Sequence, residues 1–345
     1  MNHDPERPPV RIDSPAGLIA VVPHLLGFTP QDSLVVIGVS PQRGRLQLAF
    51  RYDLPDAPDL AGAADIAGHA VGVLGRHRVT IAVVIGYGPG PLVTPLADAV
   101  REALSHTSVL LHDVLRVQDG RYWSYICPDP SCCPADGVPL DTTNDPAAQA
   151  MTAAGAEALP DRQALAATLA PVTGSDAATM ARATRRALRA AVRLAETEGL
   201  RAVDREGLPA VQGAISAYQN GKTISHSRHA RLSVALTRLP VRDDAWARMD
   251  PAFRDAHLRL WTDLVRHAQP GFVAAPASLL AFTAWQSGEG ALANIALDRA
   301  LADTPGYSMA ELIRQALSAG LPPSAAQLPM TPEDVAASYA DPPGE

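Results

Sequence analysis

The chain has almost no lysine: Lys222 stands alone against 28 arginines in 345 residues. Lysine codons are AT-rich and arginine codons GC-rich, so the bias reflects a GC-rich genome and carries no chemistry. Aromatic residues are scarce too, at 5%, which leaves alanine, leucine and valine to build the cores. Charged residues amount to 19% with a net charge of −7. That balance argues against nucleic acid as the main partner, because phosphate binding needs a positive face. No apolar run approaches the ~20 residues that a membrane-crossing helix requires. The opening Met1–Pro15 stretch is polar and proline-rich, without a signal-peptide pattern. These absences imply a cytoplasmic protein with no membrane partner. Also missing are G-x-S-x-G, H-E-x-x-H and any paired-acid pattern, which removes the commonest hydrolytic constellations.

What is present suits two domains. Apolar residues make up 47%, enough for real cores, and 345 residues fit two units of ~100–200 each. Residues 1–150 hold 10 arginines against 16 acidic residues, and residues 151–345 hold 19 basic against 20 acidic. The halves also differ in pattern. In the first, Ser14-Pro15 is an N-cap followed by proline at the first helical position, opening a helix that ends near Gly27. Ser33–Val39 is a continuous β-branched run, the mark of a strand buried on both faces. Ser40–Gly44 signals a turn and Arg45–Tyr52 alternates, so the two strands form an antiparallel hairpin. Asp59 caps a helix to Arg76, Val79–Gly86 is another buried strand, and Thr94-Pro95 opens a helix to Ser105. Val109–Val117 and Arg121–Ile126 pair around Asp119-Gly120. Helices between strands, with two hairpins, specify a mixed sheet in an α/β sandwich.

From residue 146 the strand signal vanishes and alanine and leucine recur at helical spacing. Asp176–Glu198 is one long amphipathic helix with the stripe Met180, Ala187, Leu188, Ala191, Leu194 and Ala195. Arg182, Arg185, Arg186, Arg189 and Arg193 lie elsewhere on it and read as a solvated face. Asp250-Pro251 opens a helix to Gln269. In GALANIALDRALADTPGY, the residues Ala293, Leu297, Ala300 and Pro305 resemble the second helix of a tetratricopeptide repeat, a small–large–small face closed by proline. The expected fold is α/β plus all-α. An α/β domain covers 1–145, a helical, TPR-like domain covers 146–322 with its repeat-like hairpin at 277–305, and a Pro-rich flexible tail covers 323–345.

All three cysteines, Cys127, Cys132 and Cys133, fall in the segment Gly120–Leu140. Clustered cysteines in a reducing compartment are metal ligands or redox thiols more often than structural disulfides. Zinc takes four ligands, commonly in paired C-x₂₋₄-C units. The spacing here is C-x₄-C-C, with His112, one strand away, as the nearest fourth ligand. Adjacent cysteines are awkward chelators where the backbone is extended, because successive side chains diverge. A reversible bridge from Cys127 to Cys132 or Cys133 is the redox alternative, and a purely structural loop the third. Arg121, Trp123 and Tyr125 alternate, so they share one face of the last strand and form a candidate pocket, with Arg121 as a cationic neighbour for a thiolate. Trp123 is expected to floor the cysteine loop. Pro128 and Pro130 end the strand, leaving an irregular loop to Pro139.

Weaker motifs reduce to structure. Gly86-Tyr-Gly-Pro-Gly-Pro91 sits where a dinucleotide loop would, but Pro91 replaces its third glycine. Gly221-Lys-Thr223 is half of a Walker motif after a helix. His226 and His229 lie at i and i+3 without a nearby acid and read as solvated histidines. Asp53, Asp56 and Asp59 read as loop and cap residues.

The stretch SPAGLIAVVPHLLGFTPQDSLVVIG at residues 14–38, the segment GRYWSYICPDPSCCPADGVPL at residues 120–140, Val241–Trp246 and AWQSGEGALANIALDRAL together resemble the actinobacterial domain-of-unknown-function family 4192 over nearly the whole chain. The resemblance implies no activity. The functional expectation is a non-enzymatic protein-interaction, scaffold or regulatory protein with a protein partner or self-association. The alternative is an enzyme or a redox or metal sensor using the cysteine loop. No cofactor is expected on the first reading, and zinc belongs to the second.

Overall fold

The computed structural model describes residue 12 and residues 14–39, 46–325 and 330–340, so the Ser40–Gly44 turn lies outside the described residues. The chain divides into two compact units: residues 1–165 with 319–322, and residues 166–318 with 323–345.

The first unit is built on a six-stranded mixed sheet of order β2-β1-β3-β4-β5-β6. Strands β1 (Ser33–Val39) and β2 (Leu46–Asp53) form the expected antiparallel hairpin. The β1–β3 pair is antiparallel and the β3 (Ile81–Tyr87) to β4 (Leu110–Gln118) pair parallel, which requires the helix between them to cross over. Strand alternation divides the core. Leu34, Val36, Ala82, Val84 and Val114 face helices α2 (Leu60–Arg76) and α3 (Gly90–Ser105), while Val35, Ile37, Val83, Ile85 and Leu115 face α1 (Pro15–Leu26). Both faces of the sheet are therefore covered, and this is why its central strands carry no polar alternation. Asp59 caps α2 by accepting from Ala61 and Gly62 N–H, and Asp53 pairs with Arg51.

Three expectations shift. Helix α3 starts at Gly90, four residues before Thr94; Pro91 lies in its first turn and Pro95 within the helix. The cause is close packing, because Gly86 lets Val93 approach so tightly that a Cβ there would sit 2.1 Å from Val93 Cγ1. Thr94 is then free to meet the Tyr125 hydroxyl at 2.9 Å. Second, the unit runs past 145. Helix α4 (Pro146–Ala153), capped by Asp145, packs Ala147 and Met151 into the α1 face, and Leu159 exchanges backbone bonds of 2.9 Å with Gly27 and Thr29. Third, a sixth strand, β6 (Val138–Pro139), follows β5 (Arg121–Ser124) and pairs with it.

In the second unit every regular element among the described residues is helical. Helices α6 (Gly174–Glu198) and α8 (His226–Ala235) close over Met180, Ala183 and Ala230. Alongside run α7 (Leu200–Gln219), α9 (Leu239–Ala247) and α10 (Arg254–His267), with Tyr218 and Trp261 wholly buried. Helices α11 (Ala274–Gln286) and α12 (Gly290–Asp303) form a hairpin in which Ala293, Leu297 and Ala300 are fully buried and Pro305 is exposed. The Asp303 carboxylate accepts from Gly271, Val273 and Ala274 N–H, which ties the end of α12 to the start of α11. Helix α5 (Arg162–Ala167) precedes α6 and α13 (Ser308–Ser318) follows α12, and the expected flexible tail holds a further helix, α14. It covers Pro332–Ser338, opens on a Thr331/Asp334 capping box and buries Val335. Tyr339 fastens its end, donating to Asp243 Oδ2 at 2.5 Å.

His229 is buried rather than solvated. Its ring stacks on His267 with centroids 4.5 Å apart, and neither of its nitrogens has a hydrogen-bond partner. His226 packs on the same His267 ring at 5.6 Å, with Asp176 3.8 Å from its Nε2. Burial is the main cause that lowers the His229 pKa to about 4, aided by His267 and opposed by Asp263. A histidine held neutral in the fold takes up its proton on unfolding. The unfolded chain therefore binds more protons between the ordinary value of 6.5 and about 4, and stability falls as pH drops through that window. His257, also shifted down by burial, adds in the same direction. Thermal unfolding of the full chain is expected to lose about 2–3 kcal/mol between pH 7 and 4 through His229. His229→Phe should flatten that slope, and an unchanged slope in the variant would contradict the assignment.

Candidate functional site

Strand β5 leaves the sheet at Ser124, and the next three residues set the position of the first sulfur. Ser124 Oγ accepts from Cys127 N–H at 3.2 Å and donates to Asp113 Oδ1 at 2.8 Å, so Cys127 is tied back to β4. Pro128 and Pro130 have no N–H to offer a sheet neighbour. Asp129 organises the turn. Its carboxylate takes Ser131 N–H at 2.8 Å and Ser131 Oγ–H at 2.7 Å, and its carbonyl takes Cys132 N–H at 3.2 Å and Cys133 N–H at 2.8 Å. The backbone at Cys132–Cys133 is therefore folded, not extended, and the divergence expected of adjacent cysteines does not apply. The three Sγ atoms lie within 4.8 Å of one another. Cys132 is exposed, and Cys127 and Cys133 are half-buried.

The return of the loop is pinned by the face of β5 that carries Arg121 and Trp123. Arg121 donates to Asp136 O at 2.7 Å, Asp136 Oδ2 at 2.9 Å and Gly137 O at 2.8 Å. Trp123 Nε1 donates to Ala135 O at 3.1 Å. The indole also lies under Arg116, whose guanidinium carbon sits 3.7 Å from the ring centroid. Gly137 has φ +82, and a Cβ there would sit 2.5 Å from Trp123 Cε2, so this position needs glycine twice over. Val138-Pro139 then joins the sheet edge, where a proline costs no ladder bond.

Arg121, Trp123 and Tyr125 thus share a face, as the alternation implies, but they hold the chain instead of lining an open slot. Arg121 is committed to Asp136 and Gly137, and Tyr125 to Thr94. Trp123 meets the loop at its Ala135–Gly137 end, and Tyr122 lies on the opposite face of the strand. Burial chiefly raises the Tyr122 pKa, and Cys133, Cys132 and Asp113 raise it further. The thiols are unequal. The Asp129 backbone N–H, followed by the Cys133 thiol, lowers Cys127 by hydrogen bonding to its sulfur. The Cys133 thiol is pushed up to about 12, first by its hydrogen bond to Cys127 and then by burial.

The group stops at three ligands. Among the described residues no fourth histidine, cysteine or carboxylate joins it, and His112, expected as the fourth, is exposed and outside the cluster. Elsewhere, Gly90 and Pro91 line an open groove of about 600 Å³ between α2 and α3, whose rim carries Asp98 and Glu102. Carboxylates at that rim oppose the phosphates of a nucleotide. Gly221-Lys-Thr223 lies in the turn after α7.

The segment Val241–Trp246 forms a structural knot. The buried Arg242 donates to the half-buried Asp243 at 2.8 and 2.6 Å, and the buried Asp244 accepts from the half-buried Arg248 at 2.7 and 2.9 Å. Trp246 packs edge-on to Phe282.

A family model described as "Domain of unknown function (DUF4192)" matches residues 15–324. No curated protein and no solved structure matches the chain. No helix among the described residues is long and apolar enough to cross a membrane.

Gly137→Ala is expected to lower the stability of the α/β unit by about 2–3 kcal/mol, from the positive φ and the contact with Trp123. Gly120→Ala is the control: its φ is +70 but nothing lies within 4 Å of its Cβ position, so it should cost only about 1 kcal/mol. Equal losses in thermal denaturation would contradict the clamp.

Proposed function

The chain belongs to the DUF4192 family, and from that premise we propose a non-enzymatic regulatory protein of the cytoplasm whose α/β unit senses a metal ion through Cys127, Cys132 and Cys133. The observation that carries the reading is the convergence of three sulfurs within 4.8 Å on a loop pinned by side chains of β5. Thiolates so gathered hold a thiophilic cation, and the reducing compartment keeps them available. Native mass spectrometry of the full chain, purified without chelator, is expected to show one metal ion per chain, lost on denaturation and in Cys132→Ser. A metal-free mass with three freely titrating thiols would overturn the reading.

The interaction half of the proposal rests on α6. Beyond Thr184 its apolar arc continues without cover: Leu188 is 42% and Val192 46% exposed. At 3.6 residues per turn the five arginines form the face next to this arc, with Arg185 about 20° and Arg189 about 60° around the axis from Val192. Leu188 and Val192 are the residues on which a second copy of the helix would meet it about a two-fold axis. The α11–α12 hairpin, with the tetratricopeptide-like face of Ala293, Leu297, Ala300 and Pro305, serves in this reading as a packing core, because α11 is buried from Ala274 through Trp285. Light scattering on the eluting protein is expected to give a dimer that Leu188→Glu with Val192→Glu converts to monomer. A wild-type monomer at every concentration would contradict self-association.

A further inference from the structure

Resting on the metal-centre reading above, we infer that the ion is a soft monovalent cation of the copper(I) class, held by three thiolates in a trigonal site, and not zinc(II). The donor set is the first reason. Three sulfurs saturate copper(I), whereas zinc(II) bound structurally takes four protein ligands. Among the described residues the group ends at Cys127, Cys132 and Cys133.

The neighbouring carboxylates are the second reason, because each already has a task. Asp129 holds Ser131 through N–H and Oγ–H at 2.8 and 2.7 Å, in the turn whose carbonyl positions Cys132 and Cys133. Drawing its carboxylate onto a metal would undo the turn that assembles the site. Asp113 accepts Ser124 Oγ–H and Val114 N–H, both at 2.8 Å, and so supports the residue that anchors Cys127.

The third reason is size. With metal–sulfur bonds of about 2.3 Å, a planar trigonal centre needs sulfurs about 4.0 Å apart. The spread of 4.8 Å closes to that by under about 1 Å of movement. Exposure of Cys132 supplies the entry: a carrier's thiolates can exchange one at a time for Cys132 and then for the two half-buried sulfurs. Each metal–sulfur bond formed replaces one to the carrier, and the three protons lost by the thiols go to the displaced carrier thiolates, with no change of oxidation state.

The test is an anaerobic titration of the reduced full chain with acetonitrile-stabilised copper(I) and, in parallel, with zinc(II), each against a chromophoric chelator, with native mass spectrometry counting bound ions. The expected result is one copper(I) per chain, retained against equimolar zinc(II). Cys127→Ser, Cys132→Ser and Cys133→Ser should each weaken binding by at least about 100-fold, with circular dichroism unchanged. Zinc(II) retained in preference would overturn this inference and leave the metal-centre reading standing. Binding of neither ion would overturn both. Undiminished copper(I) affinity in Cys132→Ser would show two-sulfur coordination and overturn the trigonal site.

Discussion

The fixed return of the chain after β5 is the constraint on which the site depends. Pro128 and Pro130 stop the strand, and the Asp129 turn reverses the backbone within four residues. The return is then held at its far end by Arg121 and Trp123. No single contact there is strong: an ion pair as exposed as Arg121–Asp136 contributes at most about 1 kcal/mol. The indole, in contact with both Arg116 and Gly137, makes the arrangement specific, because its ring leaves room for only one residue type at position 137. Sulfur convergence at one end of the loop is thus a consequence of packing at the other.

The parts of the fold that were legible from residues are those with a local cause. Runs such as Leu34–Ile37 and Val83–Ile85 are apolar on both faces and sit in the middle of a covered sheet. Asp119-Gly120 turns with both residues at positive φ, as its composition implies. Thr94-Pro95 imitates a cap, while the actual start of α3 at Gly90 goes with the Gly86–Val93 approach across the layers. The tail helix carried a readable capping box at Thr331 and Asp334, which its proline content obscured. Adjacent cysteines suggested diverging side chains only on the assumption of an extended backbone. The Asp-Pro-Ser sequence at 129–131 was the signal for the turn that removes this assumption. The meeting of His229 with His267 spans 38 positions of sequence and has no local signal.

The segments by which the chain resembles its family divide into two kinds. Val241–Trp246 is accounted for by two ion pairs, each with one buried partner, and an aromatic contact, which serve the helical unit as structure. The cysteine segment is different. Its clamp residues are structural, while the three free thiols they gather lie close together, with Cys132 facing solvent. The thiol cluster belongs to the α/β unit, and the exposed apolar arc of α6 to the helical one.

The central claim is that the fold assembles the three-sulfur site before any ion arrives. A crystal structure of the reduced protein, freed of metal by chelator, tests it most directly. The account predicts all three Sγ atoms within 4.8 Å, with the Arg121–Asp136 and Trp123–Ala135 contacts in place. A loop splayed into solvent, with Cys132 and Cys133 turned away from Cys127 while the sheet remains intact, would contradict it.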